Sequence, residues 1–200
     1  MILWTIQPVK VYNLVIETGV YRCDPALIHL PEFADSYSWL AKQMTDRIGP
    51  APAGVTFPVW AWYKMDGKRK KPDLRRERWT WGPGNEDYVR IEIEVPDQDV
   101  LLSDFDAWGS ILSNWLLSDT EEEYEQQKAF YTQMSPLEQE RYKEKNWQRV
   151  FDISHLDNHW IIRGDWVQAT FWELRKEYLR KVWYFRTPSR KTHFTTEDSA

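Results

Sequence analysis

Apolar residues recur along the chain at two different spacings, and each spacing predicts its own kind of element. Over residues 88–95 apolar and charged positions alternate, which predicts a half-buried strand because successive side chains point to opposite faces. Apolar residues three or four positions apart predict helices over 9–18 and 33–48, each followed directly by a glycine. The first helix carries its apolar stripe on Val11, Leu14 and Val15. Shorter apolar runs predict further strands at 2–6, 57–63, 166–174 and 182–186.

Three helix starts are marked between residues 103 and 150. Ser103, with Asp106 three positions later, fits a capping box, whose two side chains satisfy free backbone N–H groups of the first turn. The acidic run at 121–123 and the sequence Ser-Pro-Leu-Glu at 135–138 mark the other two. The first of these helices has an apolar stripe, on which we expect Trp108 to be buried. Its members are Phe105, Trp108, Leu112, Trp115 and Leu116.

Strand and helix signals alternate without the regular strand-helix-strand rhythm of a parallel sheet. This order predicts a single α+β domain with a mixed or mainly antiparallel sheet, packed helices and a helical segment near 103–150. We expect the domain to cover residues 1–186. Residues 187–200 are polar and are expected to form a frayed C-terminal tail.

Composition narrows the class of protein but not its activity. The 200 residues are 42% hydrophobic and 28% charged, which suits one globular domain with a sizeable core. The formal charge of -5 argues against coating of nucleic acid by bulk electrostatics. One cysteine excludes an internal disulfide framework and favours a reducing, cytoplasmic compartment. The N-terminus lacks the basic start and long apolar run of a signal peptide, and no membrane association is expected.

Aromatic and basic residues offer one surface that could hold a ligand. The chain has 13 tryptophans, which either build the core or face a ligand. Residues 64–78 carry eight basic against three acidic residues, and Trp79 and Trp81 lie beside them. Arg75 and Trp79 could therefore contact phosphate and base of a nucleic acid. A solvated charged loop is the favoured interpretation, because the whole chain is acidic.

Metal and nucleophile motifs are weak. His155 and His159 are four residues apart, but the glutamate of the zinc-protease pattern is missing and two ligands are too few for zinc. The eight glycines form neither glycine-rich phosphate motif. Cys23 is more typical of a small buried residue than of a nucleophile. No metal site is predicted.

Five segments resemble a bacterial family catalogued as domain of unknown function 3841. They cover nearly the whole chain, and the resemblance implies no activity because none is assigned to that family. The segments are ILWTIQPVKVYNLVIETGVYRCDP, PVWAWY, KKPDLR, VLLSDFDAW and WVQATFWELRKEYLRKVWYF.

A second, weaker resemblance is to the ADP-ribosyltransferase-like fold. Thr5 stands in the opening strand where many of these enzymes have histidine, and the closing strand holds Gln168 and Glu173 near the place of the family's acid. Thr170 occupies the position where a Gln-x-Glu motif has its glutamate. The resemblance implies an NAD-type nucleotide, with Glu173 and Gln168 as catalytic residues and Thr5 and Arg22 in ligand binding. Three interpretations are therefore open. Glu173 substitutes for the missing acid, the chain is a non-catalytic relative, or its fold is different.

Two classes of function follow. The first is a non-catalytic binding or interaction module, whose partner is a protein or a nucleotide. The alternative is a nucleotide-binding enzyme of the NAD type, with Arg22 or Thr5 meeting Gln168 or Glu173 across one cleft. In a regular strand over 166–174, Glu173 lies on the apolar side and needs a partner. If the strand ends at Trp172, Glu173 is solvated instead.

Overall fold

A computed structural model describes residues 1–23, 31–74 and 86–187. The helices are α1 (Val9–Thr18), α2 (Ala34–Ile48), α3 (Phe105–Leu112), α4 (Glu121–Tyr131) and α5 (Pro136–Trp147). The strands are β1 (Ile2–Pro8), β2 (Val20–Arg22), β3 (Val59–Lys64), β4 (Asp87–Glu94), β5 (Leu101–Asp104), β6 (Leu156–Asp157), β7 (Ile162–Arg163), β8 (Val167–Phe171), β9 (Glu173–Arg175) and β10 (Leu179–Arg186). Within these ranges no helix combines the length and the apolar character needed to cross a bilayer.

Six strands form the main sheet, in the order β10-β4-β1-β3-β8-β5. Strands β2 and β9 form a separate two-stranded sheet, and β6 pairs with β7. Every strand pair in the described residues is antiparallel. The predicted α+β class is therefore confirmed, with the mainly antiparallel form of the sheet.

One face of the sheet packs against α1. The predicted apolar face of residues 88–95 is confirmed, because Val89, Ile91, Ile93 and Val95 are all fully buried there. The opposite face is not fully solvated as predicted, because Tyr88 and Arg90 are buried as well. Helix α1 has the predicted bounds, and Val11 and Val15 contribute to this core. Leu14 is 42% exposed, so its place on the buried stripe was wrong. A ten-residue helix that lies on a sheet buries a narrow stripe, and here Val11, Tyr12 and Val15 contact the core while Leu14 lies beside the stripe.

The opposite face carries a second core, rich in indole rings. Trp108 of α3 is buried there, as predicted, together with Trp39, Trp147 and Trp172. Two further members of the predicted α3 stripe lie elsewhere, since Phe105 is 40% exposed and Trp115 is 67% exposed. Helix α3 ends at Leu112. The helical period therefore no longer applies at Trp115, which explains why the prediction was wrong there.

Two of the three predicted helix starts are confirmed, and one shifts by a residue. Ser135 and Glu138 form the capping box of α5, and the acidic run begins α4. The cap of α3 is Asp104 rather than Ser103. Asp104 is the last residue of β5, paired with Val167, and its Oδ1 accepts from the N–H of Ala107, whereas Ser103 lies one residue further inside the strand.

The predicted closing strand 166–174 is two strands. Strand β8 ends at Phe171, the chain bends at Trp172, and β9 then joins β2 in the small sheet. The first residue of the predicted tail, Thr187, is held beside the start of β4. It is 2% exposed, and its N–H donates to Glu86 O at 2.9 Å. The remainder of that tail, 188–200, lies outside the described residues.

Candidate ligand site

The ladder of the main sheet is interrupted between its two central strands, β1 and β3. Strands β1 and β4 pair from Ile2 to Pro8, whereas β1 and β3 share only the pair Trp4 and Trp62. Beyond it a side chain takes the place of the backbone ladder, because Thr5 Oγ1 donates to Trp60 O at 2.8 Å. Gln7 Nε2 in turn donates to Thr5 Oγ1 at 2.8 Å. The sheet is therefore joined here by polar side chains.

A cavity of about 210 Å³ lies at this interruption, and we call it the β1–β3 pocket. Its walls are mostly apolar and include three indole rings, and its polar side chains are two amides, one thiol and the phenol of Tyr21. The lining includes Trp4, Trp60, Trp62, Gln7, Cys23 and Gln168. A cavity of this size with a few polar groups among apolar walls suits one small ring system.

Gln168 supplies the most distinctive polar atom of the β1–β3 pocket. Its Oε1 is buried and has no hydrogen-bond partner in the described part of the chain. Ser103, directly opposite it in the β5–β8 ladder, also has a buried Oγ without such a partner. A buried acceptor that lacks a donor lowers stability, so native structures nearly always satisfy it. A ligand N–H group would satisfy Gln168.

Glu173 is not among the residues that line this pocket, and two arginines hold its carboxylate. Its side chain is 6% exposed, and Arg22 Nε donates to Oε1 at 2.7 Å while Arg175 donates to Oε2 at 2.8 Å. Burial raises the pKa of Glu173, but the hydrogen bonds from Arg22 and Arg175 outweigh it and leave the pKa below its ordinary value. The carboxylate is therefore ionised with both oxygens occupied, an arrangement that does not favour proton transfer.

The structure thus divides the predicted site residues. Arg22 and Glu173 meet, while Gln168 lines the β1–β3 pocket and the fully buried Thr5 bonds to two residues of its lining. Glu173 is neither solvated nor part of a continuous strand with Gln168, because the bend at Trp172 turns it into the small sheet. Arg75 and Trp79 lie outside the described residues. Their role and those of the other site residues stay predictions.

Several described residues of the basic segment are engaged within the chain. Lys64 Nζ donates to Gly164 O at 2.8 Å, and Lys70 pairs with Asp66. Arg69 donates to Ile2 O at 2.8 Å and lies over the ring of Tyr63. These contacts agree with the favoured interpretation of a solvated loop. The nucleic-acid alternative, which includes residues beyond 74, stays a prediction.

The sequence reasoning missed the aromatic wall of the β1–β3 pocket. Residues 57–63 were interpreted only as a buried strand, yet Trp60 and Trp62 stand two positions apart and therefore share a face of β3. Trp4 pairs with Trp62 in the neighbouring strand. The spacing of Trp60 and Trp62 was the available signal, but their meeting with Trp4 depends on the register of the sheet.

Residues 2–180 match a family model described as Domain of unknown function (DUF3841). The chain belongs to this family. The match includes every strand that borders the β1–β3 pocket as well as Arg22 and Glu173, and the description names no activity. The chain matches no curated protein and no solved structure at a significant level.

Replacing Glu173 by glutamine is expected to lower the free energy of unfolding by about 2 kcal/mol at pH 7, because charged hydrogen bonds to two half-exposed arginines are lost. The folded pKa of Glu173 lies below its ordinary value of 4.5. The difference in the free energy of unfolding between wild type and variant is therefore largest above pH 4.5 and disappears as the pH falls through the folded pKa. Urea unfolding at pH 7, 5 and 3 measures it.

Glu177→Gln is the matched control, because Glu177 is 63% exposed and stands 3.8 Å from the same Arg175. We expect it to change the free energy of unfolding by less than about 0.5 kcal/mol at every pH. Equal losses in both variants would show that the buried ion pair contributes nothing beyond surface charge.

Proposed function

We propose that this chain is a binding module whose ligand carries a planar, nucleotide-type heterocycle, held in the β1–β3 pocket. The observation that carries the proposal is the buried, unpartnered Oε1 of Gln168 in a cavity of about 210 Å³ with indole walls. A planar ring can stack on Trp4, Trp60 or Trp62, and a ring amide or amino group can donate to Gln168. The walls thus select an aromatic ring and Gln168 selects a donor on its edge.

Binding without turnover is favoured by the chemistry of the neighbouring groups. The described lining of the pocket contains no carboxylate and no histidine, the groups that most often act as general acid or base. Besides Tyr21 and Cys23, its polar side chains are the amides of Gln7 and Gln168, which hold and orient a ligand. Glu173, the acid of the closing strands, is committed to Arg22 and Arg175. A general acid or base must instead be free to exchange a proton with its substrate.

One observation favours the alternative, an NAD-type enzyme with an ADP-ribosyltransferase-like fold. Tyr21 and Cys23 both line the β1–β3 pocket, and Arg22 between them holds Glu173. A ligand whose phosphates attracted Arg22 would release one carboxylate oxygen of Glu173 close to the pocket. The enzyme proposal therefore requires this ion pair to open when the nucleotide binds.

Titration of the chain with nicotinamide, adenine and NAD by calorimetry tests the binding proposal. We expect at least one of the three to bind, and Gln168→Met to weaken that binding about tenfold, the effect of one lost hydrogen bond. Gln133→Met, at an exposed position of the chain, is the matched control and should bind like wild type. No heat with any of the three at millimolar concentration would overturn the proposal.

Product analysis separates the two functions. Wild type and Glu173→Gln are incubated with NAD, and free nicotinamide is measured by chromatography. Binding without release of nicotinamide supports the module. Release by wild type that Glu173→Gln abolishes, with NAD affinity unchanged, would establish the enzyme instead.

A further inference from the structure

A second and larger cavity, of about 610 Å³, lies between α3, α4 and the β6–β7 hairpin. We call it the α3–α4 cavity. It shares no lining residue with the β1–β3 pocket. Its volume is in the range of sites that bury a whole small molecule. Aromatic side chains dominate one wall: Trp115, Tyr124, Tyr131 and Trp160.

The aromatic wall is unusually open to solvent. Trp115 is 67% exposed, Trp160 is 37% exposed and Ile162 beside them is 50% exposed. The rings of Tyr124 and Trp160 are 5.8 Å apart, so the wall continues from α4 to the hairpin. Large apolar side chains are normally buried, and a contiguous group around a concave site indicates ligand binding. This group surrounds a cavity, which distinguishes it from scattered surface residues.

The α3 end of the cavity is acidic. The carboxylate of Asp106 has no cationic partner within the described ranges. Burial raises the pKa of Asp106, and the neighbouring carboxylates of Asp104 and Asp165 raise it further. Asp104 is 1% exposed, its carboxylate accepts the backbone N–H groups of Ala107 and Gly164, and the nearby charge of Arg163 favours its ionised form. Asp106 is therefore the carboxylate that borders the cavity without a cationic partner in the described residues.

None of the described basic residues of the lining forms an ion pair with Asp106. Arg149 and Arg163 both pair with Asp119, and each pairs with one further acid as well. Lys128, on α4, lies with its Nζ 5.7 Å from the centre of the Tyr124 ring. Positive charge on α4 is thus directed at an aromatic ring, and Asp106 has no described cation beside it. A ligand that completes the site must supply a cation there.

We propose that the α3–α4 cavity binds an organic cation with an apolar body. Its ammonium group lies at Asp106, where an opposite charge offsets the repulsion that Asp104 and Asp165 exert on this carboxylate. Its body packs on Trp115 and Trp160, whose ring faces also attract a cation. This site does not depend on the β1–β3 pocket, because the two have no lining residue in common.

Three naphthalene compounds of equal size test the proposal: 2-(1-naphthyl)ethylammonium, the neutral 2-(1-naphthyl)ethanol and the anionic 1-naphthaleneacetate. Calorimetry of the full chain is expected to show that the ammonium binds about tenfold more tightly than the alcohol. The acetate should bind most weakly. Equal binding of ammonium and alcohol would overturn the proposal, and so would no binding of any compound at millimolar concentration. Tightest binding of the acetate would also overturn it and would indicate a site at Lys128 instead.

Two variants separate the charge from the aromatic wall. Asp106→Asn is expected to reduce the preference for the ammonium to less than twofold, whereas Trp115→Ala should weaken ammonium and alcohol by similar factors. Asp157→Asn removes an exposed carboxylate outside the lining and should change neither affinity. An unchanged preference in Asp106→Asn would contradict the assignment. Thermal melting of each variant verifies that the fold is intact, and titration with whichever of nicotinamide, adenine and NAD binds to wild type verifies the β1–β3 pocket.

Discussion

Replacement of Trp108 by alanine is expected to lower the free energy of unfolding by about 3–5 kcal/mol, the usual loss for a large aromatic residue in a packed core. Trp108 is 4% exposed. Its ring lies 5.3 Å from that of Trp60 and 5.6 Å from that of Tyr37. The alanine leaves a cavity between α3 and the sheet that these rings can fill only in part. Urea unfolding measures the loss.

Trp115→Ala is the matched control, because the two tryptophans are seven residues apart and Trp115 is 67% exposed. We expect its free energy of unfolding to change by less than about 0.5 kcal/mol. If Trp108→Ala lowered the free energy of unfolding by as little as Trp115→Ala, the second core would not depend on the side chain of Trp108. Since Trp60 also lines the β1–β3 pocket, Trp108→Ala should weaken ligand binding there as well.

Gly164→Ala is expected to lower the free energy of unfolding by about 2–4 kcal/mol, from backbone strain and overpacking together. Gly164 has φ +79, and an added Cβ would lie 2.6 Å from Ser154 O and 2.8 Å from Ile153 O. Its N–H donates to Asp104 Oδ2 at 2.7 Å and its carbonyl accepts from Lys64 at 2.8 Å. A shift that makes room for the methyl group therefore disturbs both hydrogen bonds.

Gly54→Ala separates strain from the steric contact. Gly54 has φ +80, almost the same backbone conformation, but an added Cβ would meet nothing within 4 Å. We expect a loss of about 1 kcal/mol, the conformational cost alone. Thermal unfolding of the two variants gives the comparison. If Gly164→Ala were no more destabilised than Gly54→Ala, the close approach of Ser154 would carry no energetic weight.

The candidate site was predictable only in pieces. Arg22 and Glu173 were both selected from the sequence, and they meet although 151 positions separate them. Gln168 was selected with them, but it lines a different pocket because the chain bends at Trp172. A strand pattern predicts which side a residue faces while the strand continues, and nothing local marked the point where β8 leaves the main sheet.

Local sequence determined the elements whose stabilising contacts lie within a few residues. The bounds of α1, the alternation of β4 and the capping box of Ser135 and Glu138 depend on neighbours one to four positions away, and all were predicted. Tertiary structure decided the rest. It moved the cap of α3 to Asp104, exposed Trp115 and brought Trp4 beside Trp62. Burial and pocket formation depend on which distant surfaces pack together, and the local hydrophobic pattern does not specify those partners.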